Sequence, residues 1–206
     1  MTAATDFVAA WLMRAATRLD ESVGLLTDLD AARGDADHGV NMQRGFAAVA
    51  SALNAEPATG PGDALLRAST AMRRTIGGTS GPLWSVALRR MGKSLGDADE
   101  IGLAALADAI DSAVAGVAEL GGAEIGEGTM LDALAPAAEA LRAAAARDAA
   151  FADGLRDAAD AADRAAQGTA RRAATKGRAA YLGERSIGHP DPGAVSAAIV
   201  IAALAG

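Results

Sequence analysis

No cysteine occurs in the 206 residues, which excludes a disulfide frame and thiol chemistry. Aromatic residues are nearly missing too, at 3%, while hydrophobic residues reach 51%. The core must therefore be built from Ala, Leu, Val and Ile. Small side chains let helices approach closely, and alanine is the best helix former, so the composition argues for an all-α protein. Positive charge is in short supply: the net charge of −7 argues against a nucleic-acid or anionic-membrane partner. Long apolar runs are missing as well. The last one, Ala194 to Ala205, has about twelve residues, too few to span a bilayer and enough for a buried helix. Met1 to Val8 contains no basic segment ahead of an apolar stretch, so no signal peptide is expected. These features predict a cytoplasmic protein that folds as a single domain over residues 1–206, a length sufficient for a real core.

What is present is concentrated charge. Leu29 to Phe46 reads L-D-A-A-R-G-D-A-D-H-G-V-N-M-Q-R-G-F, with Asp30, Asp35 and Asp37 inside eight residues and Gly34 and Gly39 around the last two. Asp35 and Asp37 are too close for a helix to place them side by side, but a turn can aim both at one point. Clustered carboxylates repel unless a cation lies between them, and hard oxygen donors suit Mg²⁺ or Ca²⁺. The competing reading is a capped turn in which Asp37 N-caps the following helix. The pattern is not an EF-hand, since Gly39 and Phe46 occupy the fifth and twelfth places from Asp35. Nor is it a Walker A loop: Val40-Asn41 stands where Lys-Ser/Thr belongs. If phosphates bind here, metals must supply the missing positive charge.

Apolar periodicity predicts helices over about 5–29, with a break near Asp20 to Ser22, and over 38–54, 63–76, 80–91, 101–120, 129–141, 151–174 and 194–205. Leu66 and Met72 are expected to point inward, and Arg67, Arg73 and Arg74 outward. Pro136 lies inside its helix and is expected to kink it. Two connections stand out besides the acidic turn. Gly77-Gly78-Thr79-Ser80-Gly81-Pro82 ends one helix and starts the next, with Thr79 or Ser80 as cap; glycines before bare helix-start N–H groups make an anion site, or simply a tight turn. Ala174 to Gly193 is a long polar loop that carries Lys176, Arg178 and Arg185, and such loops are often functional. Asp191-Pro192-Gly193 then opens the last helix with an acidic cap and a first-turn proline.

Four segments taken together resemble one family. G-D-A-D-H-G-V-N-M-Q-R-G-F (34–46), G-G-T-S-G-P-L (77–83), G-T-M-L-D-A-L-A-P (128–136) and K-G-R-A-A-Y-L-G-E-R-S-I-G-H-P-D-P-G-A (176–194) are similar to the nucleotide-binding L subunit of dihydroxyacetone kinase, in that family's order. The resemblance implies an eight-helix antiparallel α-barrel with the nucleotide, ADP or ATP, at one end. It assigns Asp30, Asp35 and Asp37 to two Mg²⁺ ions at the phosphates, as metal ligands and catalytic groups. It puts His38, Gly39, Val40 and Asn41 against the nucleotide, Gly78, Thr79 and Ser80 on the phosphates, and Gly121, Thr129, Met130, Arg178, Asp191, Pro192 and Gly193 around the remainder.

The resemblance also implies partners. In the family the ketose is bound covalently to a histidine of a separate K subunit, and in the phosphotransferase-system branch a phosphocarrier M subunit rephosphorylates the resident ADP. A homodimer is left open. Alternatives are an ATP-dependent kinase of another short ketose, such as a tetrulose, or a nucleotide-loaded regulatory subunit without turnover. One departure concerns the loop before Met130, where the family commonly has Pro-Gly-Asp-Lys-Thr-Met and this chain has Ile125-Gly126-Glu127-Gly128-Thr129-Met130. Loss of the lysine is expected to loosen or reshape the loop. Removing Asp30 is expected to relieve carboxylate repulsion and raise the stability of the metal-free protein.

Overall fold

The computed structural model describes residues 3–206; Met1 and Thr2, the first two residues of the segment from which no signal peptide is expected, lie outside the described residues. Nine α-helices are described: α1 (Ala3–Glu21), α2 (Val23–Arg33), α3 (His38–Ala55), α4 (Pro61–Thr75), α5 (Ser80–Leu95), α6 (Leu103–Gly121), α7 (Leu131–Ala146), α8 (Phe151–Gly168) and α9 (Pro192–Ala202). The expected break near Asp20 to Ser22 is real and separates α1 from α2 at Ser22.

Eight of these helices form a closed ring, since α1 packs on α3, each helix from α3 to α9 packs on the next, and α9 returns to α1. The closing contact is fixed by Trp11 Nε1, which donates to the Val200 carbonyl at 2.8 Å. Inside the ring, Phe46 of α3 meets Trp84 of α5 edge to face at 5.6 Å, and most of the remaining core is Leu, Val and Ala. The two aromatic anchors and many small residues reflect the composition: alanine faces allow close helix packing, and a few rings fill the wider centre. Where α4 crosses α5 even alanine is too large at Gly62, because a Cβ there would lie 2.6 Å from both the Gly92 and Gly96 carbonyls.

The short α2 stands outside the ring and packs on α3 and α9. Helices α3, α5, α7 and α9 begin at the same end of the bundle at which α4, α6 and α8 finish, which is the alternation of an antiparallel bundle. Four helix starts, each with unsatisfied N–H groups, therefore gather at one end.

Several local expectations are corrected. Leu66 does not point inward; it is 39% exposed, and Leu65 takes the core position. Arg67 is not simply solvated but pairs with Asp63 and Glu56. α7 continues through Pro136 to Ala146. α8 stops at Gly168, about six residues before the expected end. Thr169 is the reason: its hydroxyl donates back to the Ala166 carbonyl at 2.6 Å and accepts from Asp191 N at 2.8 Å, so the chain turns there to meet the start of α9. The polar loop that follows contains 3-10 turns over Arg178–Ser186. No helix among the described residues is long and apolar enough to cross a membrane.

Candidate nucleotide and metal site

The acidic turn lies at the end where the helix starts gather. α2 carries Asp30 in its last turn and closes at Gly34, whose N–H donates to the Asp30 carbonyl at 2.5 Å. A Cβ at Gly34 would strike the Asp30 carboxylate, so glycine is required by contact. Ala36 then adopts φ 62°, a left-handed conformation that costs a non-glycine residue about 1 kcal/mol or more. This bend separates Asp35 from Asp37 and turns both carboxylates toward Asp30. One oxygen from each of the three acids lies within 4.8 Å of the others.

The capping reading for Asp37 fails. Asp37 occupies the N-cap position of α3, but its side chain makes no capping bond. Asp30 does that work from α2, with Oδ2 accepting from Asp37 N at 2.9 Å and His38 N at 3.0 Å. The division of labour leaves the Asp37 carboxylate free to face a cation. It also overturns the expectation for Asp30. The buried Asp30 satisfies two helix-start donors, so Asp30→Ala should lower the metal-free stability by about 1–3 kcal/mol, measured by thermal or denaturant unfolding; a rise in stability would contradict this geometry.

Two adjoining chambers open beside the acids. The first, about 180 Å³, is bounded by Asp30, Asp35, Asp37, His38, Asn41, Gly77 to Ser80, Arg33, Arg178 and Asp191, among others. The second, about 230 Å³, has an apolar wall of Leu83, Trp84, Val117 and Met130, with Gly121, Thr129 and Gly193 on its rim. His38, Thr79, Ser80, Lys176, Asp191 and Pro192 border both. One chamber is polar and lined by helix starts, as an anion needs; the other offers a flat apolar wall and a thioether, as an aromatic base needs.

His38 fixes the seam between the chambers. Its Nε2 lies 2.9 Å from Ser196 Oγ, whose hydrogen goes to the Gly193 carbonyl at 3.0 Å, and its Nδ1 lies 3.2 Å from Ser80 Oγ. Nε2 therefore carries the proton and Nδ1 accepts from Ser80. Burial pushes the ring's pKa below its ordinary value despite the nearby Asp30 and Asp37, so the imidazole is neutral. Ser80 thus bonds His38 rather than capping α5, and Thr79 makes no capping bond either. The expected cap holds at Asp191, whose Oδ2 accepts from Ala194 N at 2.8 Å; Thr129, one residue before the N-cap of α7, accepts from Leu131 N at 3.3 Å.

Most of the residues expected at a nucleotide border these chambers. Gly39 and Val40 do not. Gly39 is packed against the backbone of α2 at Val23 and Thr27, and Val40 is 48% exposed on the outer surface.

Three organising residues were not anticipated. Asp132, in the first turn of α7, accepts from Gly126 N at 2.8 Å, Gly128 N at 3.0 Å and Thr129 N at 2.9 Å. Glu127 adds a bond from Glu124 N at 2.7 Å and contacts with Thr175 and Lys176. The loop is therefore held rather than loosened by Gly128. An acid in the first turn after a glycine-rich connection was the available signal for Asp132. Arg33, fully buried, sends Nη1 to the His189 carbonyl at 2.9 Å. Ser196, the buried partner of His38, sits in an apolar helix and gave no pattern.

Charge is balanced locally. Arg178 Nη1 lies 2.5 Å from Asp35 Oδ2, and Lys176 Nζ reaches the Gly122 carbonyl at 2.6 Å. Asp191 keeps some surface open to the chambers, but its carboxyl is closely packed by protein; burial pushes its pKa up to about 6, against bonds from Ala194 and Gly193 and the charge of Arg33. An acid with a raised folded pKa binds its proton more tightly folded than unfolded. Its contribution is therefore fullest below pH 3.8 and is lost as pH rises through about 6. Asp191→Asn, which keeps a capping oxygen, should stabilise the metal-free protein by about 1–2 kcal/mol at pH 8. The gain should vanish near pH 4. Unfolding curves at both pH values check this, and a pH-independent difference would refute it.

Comparison with known proteins agrees with this geometry. The chain is 38% identical over 204 residues to the PEP-dependent dihydroxyacetone kinase 1, ADP-binding subunit DhaL, of Listeria innocua, covering 99% of this chain and 97% of that protein. It is 37% identical over 204 residues to the L-erythrulose kinase of Pectobacterium atrosepticum, covering 98% of this chain but 35% of that longer protein. In structure it matches the dihydroxyacetone kinase from C. freundii in complex with AMP-PNP and Mg²⁺, with a TM-score of 0.77 and 27% identity, over 100% of this chain and 34% of that one. Residues 32–206 match the DAK2 domain, and with that extent of agreement the chain belongs to the DAK2-domain family.

Proposed function

We propose that this chain is the ADP-binding subunit of a dihydroxyacetone kinase, acting on dihydroxyacetone held by a separate K subunit. The observation that carries the proposal is the carboxylate triad at the meeting point of four helix starts, beside an apolar-walled chamber. Relatives that share 38% and 37% identity with the chain over nearly their whole length are ADP-binding subunits of dihydroxyacetone kinases, which supports this reading.

The donor set fits Mg²⁺. Three hard carboxylate oxygens approach one point, and Mg²⁺ commonly completes its shell with substrate phosphates. Asp30, Asp35 and Asp37 would hold two Mg²⁺, which would supply positive charge against the phosphates. The chain's own groups do the rest. The start of α5 offers N–H donors to phosphate oxygens, with Gly77 and Gly78 leaving the approach open. His38, neutral and held from both ring nitrogens, keeps α3, α5 and α9 in register. Met130 and Trp84 clamp the base. Arg178, already paired with Asp35 at the chamber mouth, is placed to contact either the acids or a phosphate. Positioning and charge stabilisation supply most of the rate in such transfers.

A phosphocarrier M subunit, rather than free ATP, is the proposed donor to the resident ADP. Reconstitution tests both parts. The purified chain, mixed with a K subunit of a dihydroxyacetone kinase, a phosphocarrier and dihydroxyacetone, should form dihydroxyacetone phosphate. Absence of product with the carrier and with ATP alike would indicate a binding role without turnover. Product with ATP alone would rule out the carrier.

A further inference from the structure

Arg33 is the one buried side chain among the described residues whose nitrogen atoms are left over. It is 2% exposed. Nη1 donates to the His189 carbonyl at 2.9 Å, but Nε and Nη2 are buried with no hydrogen-bond partner. Leaving charged donors unsatisfied inside a protein is costly, and native interiors tolerate it where a ligand completes the set. The residue borders the polar chamber together with the three acids and Asp191. Its other side lies under the loop before α7, where a Cβ added to Gly128 would sit 3.4 Å from Nη2. Gly128 is the position at which the resembling family commonly carries lysine, and this chain has none.

We propose that Arg33 supplies, from the end of α2, the fixed positive charge that the loop at 128 lacks, and that its free donors bind an anionic oxygen of the nucleotide in the polar chamber. The inference rests on the nucleotide reading above and adds a binding residue to it. Arginine suits the place. A guanidinium stays charged when buried, and its planar fork can hold a backbone carbonyl on one edge and a phosphate oxygen on the other. It also explains the glycine. A lysine at 128 would bring a second cation close to Arg33, and Gly128 has φ 74°, which favours a residue without a Cβ.

The test is a four-protein cycle: wild type, Arg33→Met, Gly128→Lys and the double variant. ADP affinity in Mg²⁺ is measured by titration calorimetry and metal-free stability by thermal unfolding. Arg33→Met should weaken ADP binding about 10- to 100-fold while leaving the metal-free melting temperature nearly unchanged, because the lost bond to the His189 carbonyl is offset by removal of two unsatisfied buried donors. Gly128→Lys should weaken binding in the wild-type background and strengthen it in the Arg33→Met background. That reversal of sign is the signature of a displaced charge, and a merely structural arginine would not produce it. Arg33→Lys provides a second reading if the methionine variant folds poorly; it should keep part of the affinity.

Wild-type affinity in Arg33→Met would overturn the proposal. So would lost affinity that lysine at 128 fails to restore, which would make Arg33 a clamp on the His189 segment. A wild-type protein that binds no nucleotide in Mg²⁺ would instead remove the functional reading itself, and this inference with it.

Discussion

Asp35→Asn and Asp37→Asn should each weaken Mg²⁺-dependent nucleotide binding by more than about 100-fold, with helicity by circular dichroism and the metal-free melting temperature nearly unchanged. The split between binding and folding follows from what each carboxylate touches. Asp37 stands at the N-cap of α3 without bonding to it, so amidation removes a metal ligand and no structural bond. Asp35 pairs with the half-exposed Arg178 across the chamber mouth, and an exposed pair of this kind contributes about 1 kcal/mol or less. Removing one of three mutually repelling acids offsets even that small loss. Asp30 is the internal control. It bonds two backbone donors, so its replacement should cost stability as well as binding. If Asp35→Asn and Asp37→Asn bind nucleotide as the wild type does, the metal assignment is wrong. If they unfold, the turn is structural and the acids are its caps.

Gly39→Ala should be among the most damaging of single-methyl additions near the site. A Cβ there would collide with the Val23 carbonyl and Thr27 Oγ1 and would lie 2.9 Å from Thr27 N. Two of these atoms belong to the backbone of α2 and cannot swing away. Relief requires α2 to lift from α3, which carries Asp30 away from Asp37 and His38 and breaks the pair of bonds that starts α3. Overpacking of this kind costs about 1–3 kcal/mol, and more when backbone must move. The expected result is a melting temperature lower by about 5–15 °C together with loss of Mg²⁺-dependent binding, since the triad is spread over both helices. Gly24→Ala is the matched comparison: a Cβ there meets nothing within 4 Å, and alanine favours helix, so that variant should be neutral or slightly stabilised. Equal behaviour of the two variants would contradict the packing described here.

Gly39 also shows where sequence reasoning reaches and where it stops. The family resemblance sets Gly39 and Val40 against the nucleotide, because both lie at the start of α3. Position along a chain does not say which way a helix start faces, and here α2 occupies the side on which Gly39 lies. The acidic turn was legible, because three acids within eight residues, two of them between glycines, have few other uses. The exchange of roles within it was not: Asp30 caps α3 from seven residues away, a contact that depends on the φ 62° bend at Ala36. Helix identity was legible from periodicity, and the ends were less so where a side chain intervened. Thr169 stops α8 by bonding to a residue 22 positions later, which no local pattern announces. Leu65 and Leu66 are both apolar, and only packing decides that the first is buried. Arg33 and Asp132 stand at a helix end and a helix start, positions that do not announce burial. Their roles emerge once the loops around them close on one another.

On the proposed function, one end of this bundle holds a nucleotide through divalent cations bound by Asp30, Asp35 and Asp37. Native mass spectrometry of the protein, purified in Mg²⁺ and exhaustively buffer-exchanged, tests it most directly. The account predicts a retained mass equal to ADP plus two Mg²⁺, lost on chelation and absent from the Asp37→Asn protein. A protein that stays nucleotide-free in Mg²⁺ even after addition of excess ADP, or one that retains ADP equally well after chelation, would contradict it.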